Sequence, residues 1–132
     1  MILQNLLSLV SVSLSHDLFW VDEHSWCAVV GNAEYSLTGA LLIETATMQS
    51  GRAITLQAPP DMAWMSLASL TLLRAWAAIA GLQMRLTLDD GRSFNVVFRH
   101  QEKPVLDAKP VTGIASFDPE SYWSVTMKLM EI

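Results

Sequence analysis

The sequence predicts a mixed α and β fold, mainly β, built as one domain around one shared core. Several stretches alternate apolar and polar residues with a period of two, the signature of strands that bury one face. One run, Met62 to Ala80, is rich in Ala, Leu and Met, which favour helix. Between two alternating stretches stands Asp89-Asp90-Gly91, a strong hairpin turn because glycine tolerates positive φ there. The 132 residues suffice to bury such a core without disulfides or metal.

The elements follow in order. Met1 to Leu14 is apolar, has no basic residue before it, and interleaves serines with aliphatics, so it reads as strand rather than signal peptide. Within it, Val12 and Leu14 share one face and Ser11, Ser13 and Ser15 the other. His16 to Ser25 sets polar residues around Phe19-Trp20-Val21, a turn and a short strand. Trp26 to Val30 forms another, ended by Gly31-Asn32. Tyr35 to Glu44 alternates throughout and turns apolar on both faces near its end, as in a strand covered on two sides. Gly39 within it marks a bulge or a close backbone approach. Thr45 to Gly51 is a polar loop, and Arg52 to Gln57 a strand with Ile54 and Leu56 inward.

Pro59-Pro60 stops that strand, and Asp61 follows as a helix N-cap. The helix is expected over about 62–80, with Gly81 just past its end. Met65, Ala68, Leu72, Ala75, Trp76 and Ile79 fall on one face, assigned to the core. Ser66, Ser69 and Arg74 lie opposite, but Leu70, Leu73 and Ala77 intrude, so the helix is apolar nearly all round. Arg74 near its middle argues against a membrane span. Sheet, or a neighbouring subunit, is expected to cover it instead. Leu82 to Leu88 and Phe94 to Phe98 are the two strands of the Asp89-Asp90-Gly91 hairpin. His100 to Ser121 is long and holds Pro104, Pro110 and Pro119, a loop of the length that is usually functional or mobile. Val105 and Val111 mark a short edge strand in it. Trp123, Val125, Met127 and Leu129 share one face of a closing strand.

Charge narrows the function. Charged residues make up 16% of the chain, well below the usual quarter, so some apolar surface is expected to meet a partner. The net charge is -5 with scattered Lys and Arg, the opposite of a nucleic-acid binder. Cys27 is the one cysteine and excludes an intrachain disulfide. Between Trp26 and Ala28 it reads as a buried, unreactive thiol. His24 and Cys27 have a spacing that could serve a metal, but no second pair exists to complete a zinc site. Asp17, Asp22 and Glu23 lack the ladder of a calcium loop and read as solvated, as do Asp118 and Glu120. A small enzyme around His24, Cys27 and Glu34 ranks last, because no phosphate loop or nucleophile elbow accompanies them. No catalytic residue, cofactor or metal is expected. Of the five tryptophans, Trp76 and Trp123 lie on core faces, whereas Trp20 and Trp64 flank turns and are interface candidates.

Three motifs in sequence carry a resemblance: Asp17-Leu18-Phe19-Trp20 with Asp22-Glu23, then Glu34 to Leu41, then Gly51-Arg52-Ala53-Ile54-Thr55-Leu56. Together with Trp64 and Trp76 in the helix, Val97-Phe98-Arg99-His100, and the strand from Tyr122 to Ile132, they resemble small structural proteins of tailed-phage tail modules. The likeness spans almost the whole chain, and its motifs are packing motifs. One departure is Ala53, where the pattern has proline, which loosens the turn slightly. The resemblance implies a single tail-tube-like domain: a β-sandwich or split barrel of seven to eight antiparallel strands with one helix packed on the sheet. It implies a virion protein, assembled in the host cytoplasm, at the distal end of the tail near the baseplate or tail tip. Such proteins form ring-shaped homo-oligomers, commonly hexamers, that connect the tail tube to hub and other baseplate proteins. Neither direct nucleic-acid readout nor membrane contact is implied. The loops at 45–51 and 100–121 are then expected to touch neighbours, with Met48, Gln49, Pro104, Val105 and Phe117 joining Trp20 and Trp64 as interface candidates. The alternative is a ligand-binding β module for carbohydrate or a cell-surface ligand, using exposed tryptophan.

Overall fold

A computed structural model of the chain describes every residue except 16, 60–61 and 115–116. Its elements run β1 Ile2–Asn5, β2 Ser11–Ser13, β3 Phe19–Trp20, β4 Val29–Tyr35, β5 Leu41–Thr47, β6 Ala53–Gln57 and β7 Met65–Ser66, then α1 Leu67–Ala77, then β8 Met84–Thr87, β9 Ser93–Phe98, β10 Leu106–Pro110 and β11 Tyr122–Glu131. The fold is mainly β with one helix, as the sequence predicts, although the strands are shorter and more numerous. Nine of them form one antiparallel sheet, and β4 with β5 forms a separate two-stranded hairpin.

The long closing strand organises the sheet. β11 pairs with β10 through Trp123 to Met127 and with β9 through Leu129 to Glu131, on one edge. Its other edge takes β7 at Tyr122–Trp123 and β6 from Thr126 to Met130. The path then runs outward through β8, β1 and β2 on one side and ends at β3 on the other. Among the described residues no ladder joins β2 to β3, and the sheet is not closed into a barrel. It curls nonetheless: Trp20 of β3 meets Phe94 of β9 edge-on, ring centroids 5.6 Å apart.

Strict alternation makes the core. Leu3, Ile54, Leu56, Met84, Leu86, Val96, Val125, Met127 and Leu129 point to one face and are fully or almost fully buried. Each such side chain stabilises the fold by roughly 1.5–3 kcal/mol of transfer free energy. The helix closes this face with Leu70, Leu73 and Trp76.

The helix differs from its expected bounds of 62–80 at both ends. Met65 and Ser66 pair with Trp123 and Tyr122 as β7, which holds them extended. Ser66 then caps the helix, its side chain accepting from the Ser69 N–H, while the N–H groups of Leu67 and Ala68 donate to the carbonyls of Ser121 and Pro119. The expected cap, Asp61, lies outside the described residues. At the far end the Ala78 and Ile79 N–H groups tighten onto carbonyls three residues back, and Gly81 takes φ +71° in the turn that follows. The buried face also differs. Leu70 and Leu73 are inside, while Ala68, Ala75 and Ile79 are exposed. A helix apolar on every side cannot announce by its pattern which side the sheet will take.

The stretch from Tyr35 to Glu44 is not one strand. Ser36 to Ala40 is a tight turn between β4 and β5: the Ser36 N–H donates to the Ala40 carbonyl at 2.8 Å, the Ser36 hydroxyl accepts from the Ala40 N–H, and Gly39 takes φ +83°. Gly39 thus serves a turn rather than a bulge, and the strand after it consumes Thr45 to Thr47 of the expected loop. Similarly, Met1 to Leu14 holds two strands, turned at Asn5, whose buried side-chain oxygen accepts from the Leu7 and Ser8 N–H groups. Inside the expected loop 100–121, β10 covers Leu106–Pro110, the short edge strand between Val105 and Val111 that the sequence suggests, paired to β11 alone among the described strands.

Candidate interaction surfaces

The β4–β5 hairpin departs from the rest of the molecule: every residue of both strands is exposed. Opposed residues of an antiparallel pair share a face. The register therefore puts Val29, Gly31, Ala33 and Tyr35 with Leu41, Ile43, Thr45 and Thr47 on one side. That side carries no charge. The other holds Val30, Asn32, Glu34, Leu42, Glu44 and Ala46. The hairpin is thus amphipathic, yet among the described residues nothing covers its apolar side. At the tip Leu37 stands fully in solvent.

Its root, in contrast, is fixed. The Met48 N–H donates to the Ala28 carbonyl, the Gly51 N–H to Glu131, and the Glu131 N–H back to Arg52. The Arg52 guanidinium lies 4.6 Å from the Trp20 ring and 5.2 Å from that of Trp26, and it donates to the Glu23 carbonyl. Beside it, Asp22 takes both the backbone N–H and the hydroxyl of Thr55, at 3.0 and 2.9 Å. Buried Arg99 donates to the same Thr55 hydroxyl and faces the carboxylates of Asp22 and Glu102. Asp22 therefore plugs the outer edge of β6, where an open edge would invite pairing. Glu23 pairs with Arg92 at 2.8 Å. Neither carboxylate is the freely solvated loop group that the sequence suggests.

Arg92 also joins the β8–β9 turn. The Asp90 carboxyl is held below its ordinary value, first by the Arg92 backbone N–H and then by the Arg92 guanidinium. The guanidinium is held above its own, by hydrogen bonds to Glu23 and Asp90.

At the opposite end of β11 lies an apolar hollow of about 390 Å³, lined by Trp64, Pro110, Val111, Thr112, Ile114, Ser121, Tyr122 and Trp123. Trp64 and Tyr122 stand 6.0 Å apart, ring to ring. Ile114 and Phe117 are exposed nearby in sequence, Phe117 to 93%. The distance between hollow and hairpin root is set by the ten-residue β11, roughly 30 Å at about 3.4 Å per residue.

The sequence-based candidates scatter across these features. Trp64 stands at the hollow, half exposed. Met48 and Gln49 line a recess at the hairpin root beside Trp26. Pro104, after a cis peptide bond, is exposed, and Val105 packs partly against the core. Trp20 is only 6% exposed, held between Arg52 and Phe94, so it presents almost nothing to a partner. The turn-flanking position that suggested exposure is overridden by the curl of the sheet. Cys27, expected to be buried, is exposed in the irregular segment before β4. His24 is exposed beside Glu23, and Glu34 stands on the hairpin's charged side. Among the described residues no three His, Cys, Asp or Glu side chains gather to hold a metal, and no helix is long and apolar enough to cross a membrane. The hairpin's exposed surface was not foreseen. Its signal was Ser36-Leu37-Thr38-Gly39, a turn with apolar alternation on both sides. The chain matches no protein-family model, no curated protein and no solved structure.

Proposed function

We propose that this chain is a structural virion protein of a phage tail, forming a ring at the distal end that connects the tail tube to the baseplate or tail-tip hub. The supporting observation is a body whose core closes without its β4–β5 hairpin. The chain exposes 8407 Å² for 14.6 kDa, about 1,500 Å² more than the roughly 6,900 Å² of a compact monomer of that mass. That surplus is close to two sides of a standard interface, at about 800 Å² each, as a ring subunit between two neighbours would need. The motifs from Asp17 to Leu56 and from Tyr122 onward, which resemble those of tail-module proteins, support the same reading. Mass spectrometry of purified particles, with electron microscopy of tails made without the chain, tests the proposal. Tails that lack their distal end are the expected result; complete, infective tails without the chain would reject it.

A second reading is favoured by the aromatic hollow. Trp64, Tyr122 and Trp123 around one apolar concavity suit the flat face of a sugar ring. Quenching or a blue shift of tryptophan fluorescence on adding bacterial surface glycans, abolished in Trp64→Ala, would carry that reading. An unchanged spectrum across a glycan panel would remove it.

A further inference from the structure

We infer that the uncharged side of the β4–β5 hairpin of one copy seats in the aromatic hollow of a second copy, head to tail. This rests on the ring-forming role proposed above and names the two surfaces that would build such a ring.

Three features lead there. First, the hairpin is sorted like a strand pair that lies on an apolar surface. Ala33, Tyr35, Leu41 and Ile43 share one side, and Glu34 and Glu44 share the other. A two-stranded hairpin is marginal by itself, and both faces of this one are in solvent. Its own body does not cover it, so the cover comes from outside the chain. Second, the hollow is the apolar counterpart. Trp64, Ile114 and Tyr122 leave large apolar surface in solvent around it. Third, the two surfaces cannot meet on a twofold axis as like against like. The hairpin is rooted where Arg52 and Gly51 bond Glu131, and the hollow opens at Tyr122 and Trp123, the other end of the same strand. A contact between two different patches that is not exchanged reciprocally about a twofold axis is heterologous, and repeating it generates closed rings or open filaments. The surplus of about 1,500 Å² matches one hairpin given and one hollow filled per copy, at about 800 Å² a side. The rigid root, with Arg52 stacked between Trp20 and Trp26, fixes the direction in which the hairpin is offered.

Light scattering with size exclusion on the full chain, from micromolar to millimolar concentration, tests this. Wild type is expected to self-associate. Ile43→Glu on the hairpin and Ile114→Glu at the hollow are each expected to weaken association at least about thirtyfold, as loss of a central apolar anchor does. Both positions are exposed, so the thermal midpoint should stay put and report intact folding. The decisive sample is the equimolar mixture of the two variants. One intact hairpin and one intact hollow remain between them, so the mixture should give a dimer of one of each and nothing larger. Hairpin pairing edge to edge with hairpin would instead be broken by Ile43→Glu alone and not rescued by mixing. A wild type that stays monomeric would assign the hairpin to a different protein. Either result overturns the inference. Association that survives both substitutions also overturns it, while leaving the ring-forming role intact. That role falls separately, if purified particles lack the chain.

Discussion

The β11-centred body and the β4–β5 hairpin are written in the same code and behave oppositely. Both are antiparallel strands with apolar residues at every second position. In the body, β11 has partners along both edges and a helix over its inward face, so Val125, Met127 and Leu129 are almost completely removed from water. In the hairpin each strand has one partner and no cover, so Ile43 keeps more than half of its surface in water and Leu41 about half. Alternation states that one face will be buried. It does not state whether the burying surface belongs to the same chain.

The comparison can be broken by measuring what each region contributes. Leu129→Ala, in the fully buried centre of the sheet, is expected to cost about 2–5 kcal/mol in urea unfolding of the monomer. Ile43→Ala, of similar size but on the hairpin, is expected to stay within about 0.5 kcal/mol of wild type. Equal costs would mean that the hairpin packs on the body after all. Next in size, Asp22→Ala removes the acceptor of two Thr55 hydrogen bonds and uncovers buried Arg99, an expected loss of about 1–3 kcal/mol. The same substitution should also lower amide protection at the hairpin root, because the β3–β4 connection is pinned there. Replacing residues 32–44 by a two-residue Asn-Gly turn sharpens the comparison further. The shortened chain should fold with an unchanged thermal midpoint and lose only self-association. Cys27, in the exposed segment that leads into β4, should react with a thiol reagent in the native protein as fast as a small-molecule thiol does.

The smallest effect concerns the β8–β9 turn. A carboxyl whose folded pKa is depressed contributes stability above its unfolded value and loses it as pH falls through the folded value. Asp90 is such a group, so Asp90→Asn should reduce stability slightly at neutral pH and make no difference once both states are protonated in strong acid. Arg92→Lys should remove only the smaller, guanidinium part of the same increment, because the fork that reaches Asp90 and Glu23 together is lost while the backbone N–H at position 92 still donates to Asp90.

How much of this was legible in the residues depends on how local the cause is. The β8–β9 hairpin and the closing strand are local: Asp90-Gly91 makes the turn, and Met84, Leu86, Val96 and Leu129 carry their own alternation. The ends of the helix are not. Ser66 became the cap because Met65 and Ser66 were drawn into pairing with Trp123 and Tyr122, more than fifty positions away. Asp22 shows the same limit. Nothing near it announces that Thr55 and Arg99 will come to it across the sheet edge. The hairpin failed for another reason. Tyr35 to Glu44 alternates straight through the Ser36–Ala40 turn, so periodicity alone joined two strands that Gly39, at φ +83°, separates. As for the surfaces, Trp64 could be picked by its place beside a turn, but the rest of the hollow comes from 110–114 and 121–123, more than forty positions further along the chain.

One further consequence follows from the place of β11 in the chain. Each of its four partners, β6, β7, β9 and β10, is translated before it. On the ribosome those strands emerge without the edge they need, and before β11 only the β1–β2–β8–β9 ladders, the short β3–β6 pair and the β4–β5 hairpin can begin to form. The middle of the sheet must wait for the last ladder to arrive, and until then the apolar faces of β6 and β9 are open to chaperones and to neighbouring nascent chains.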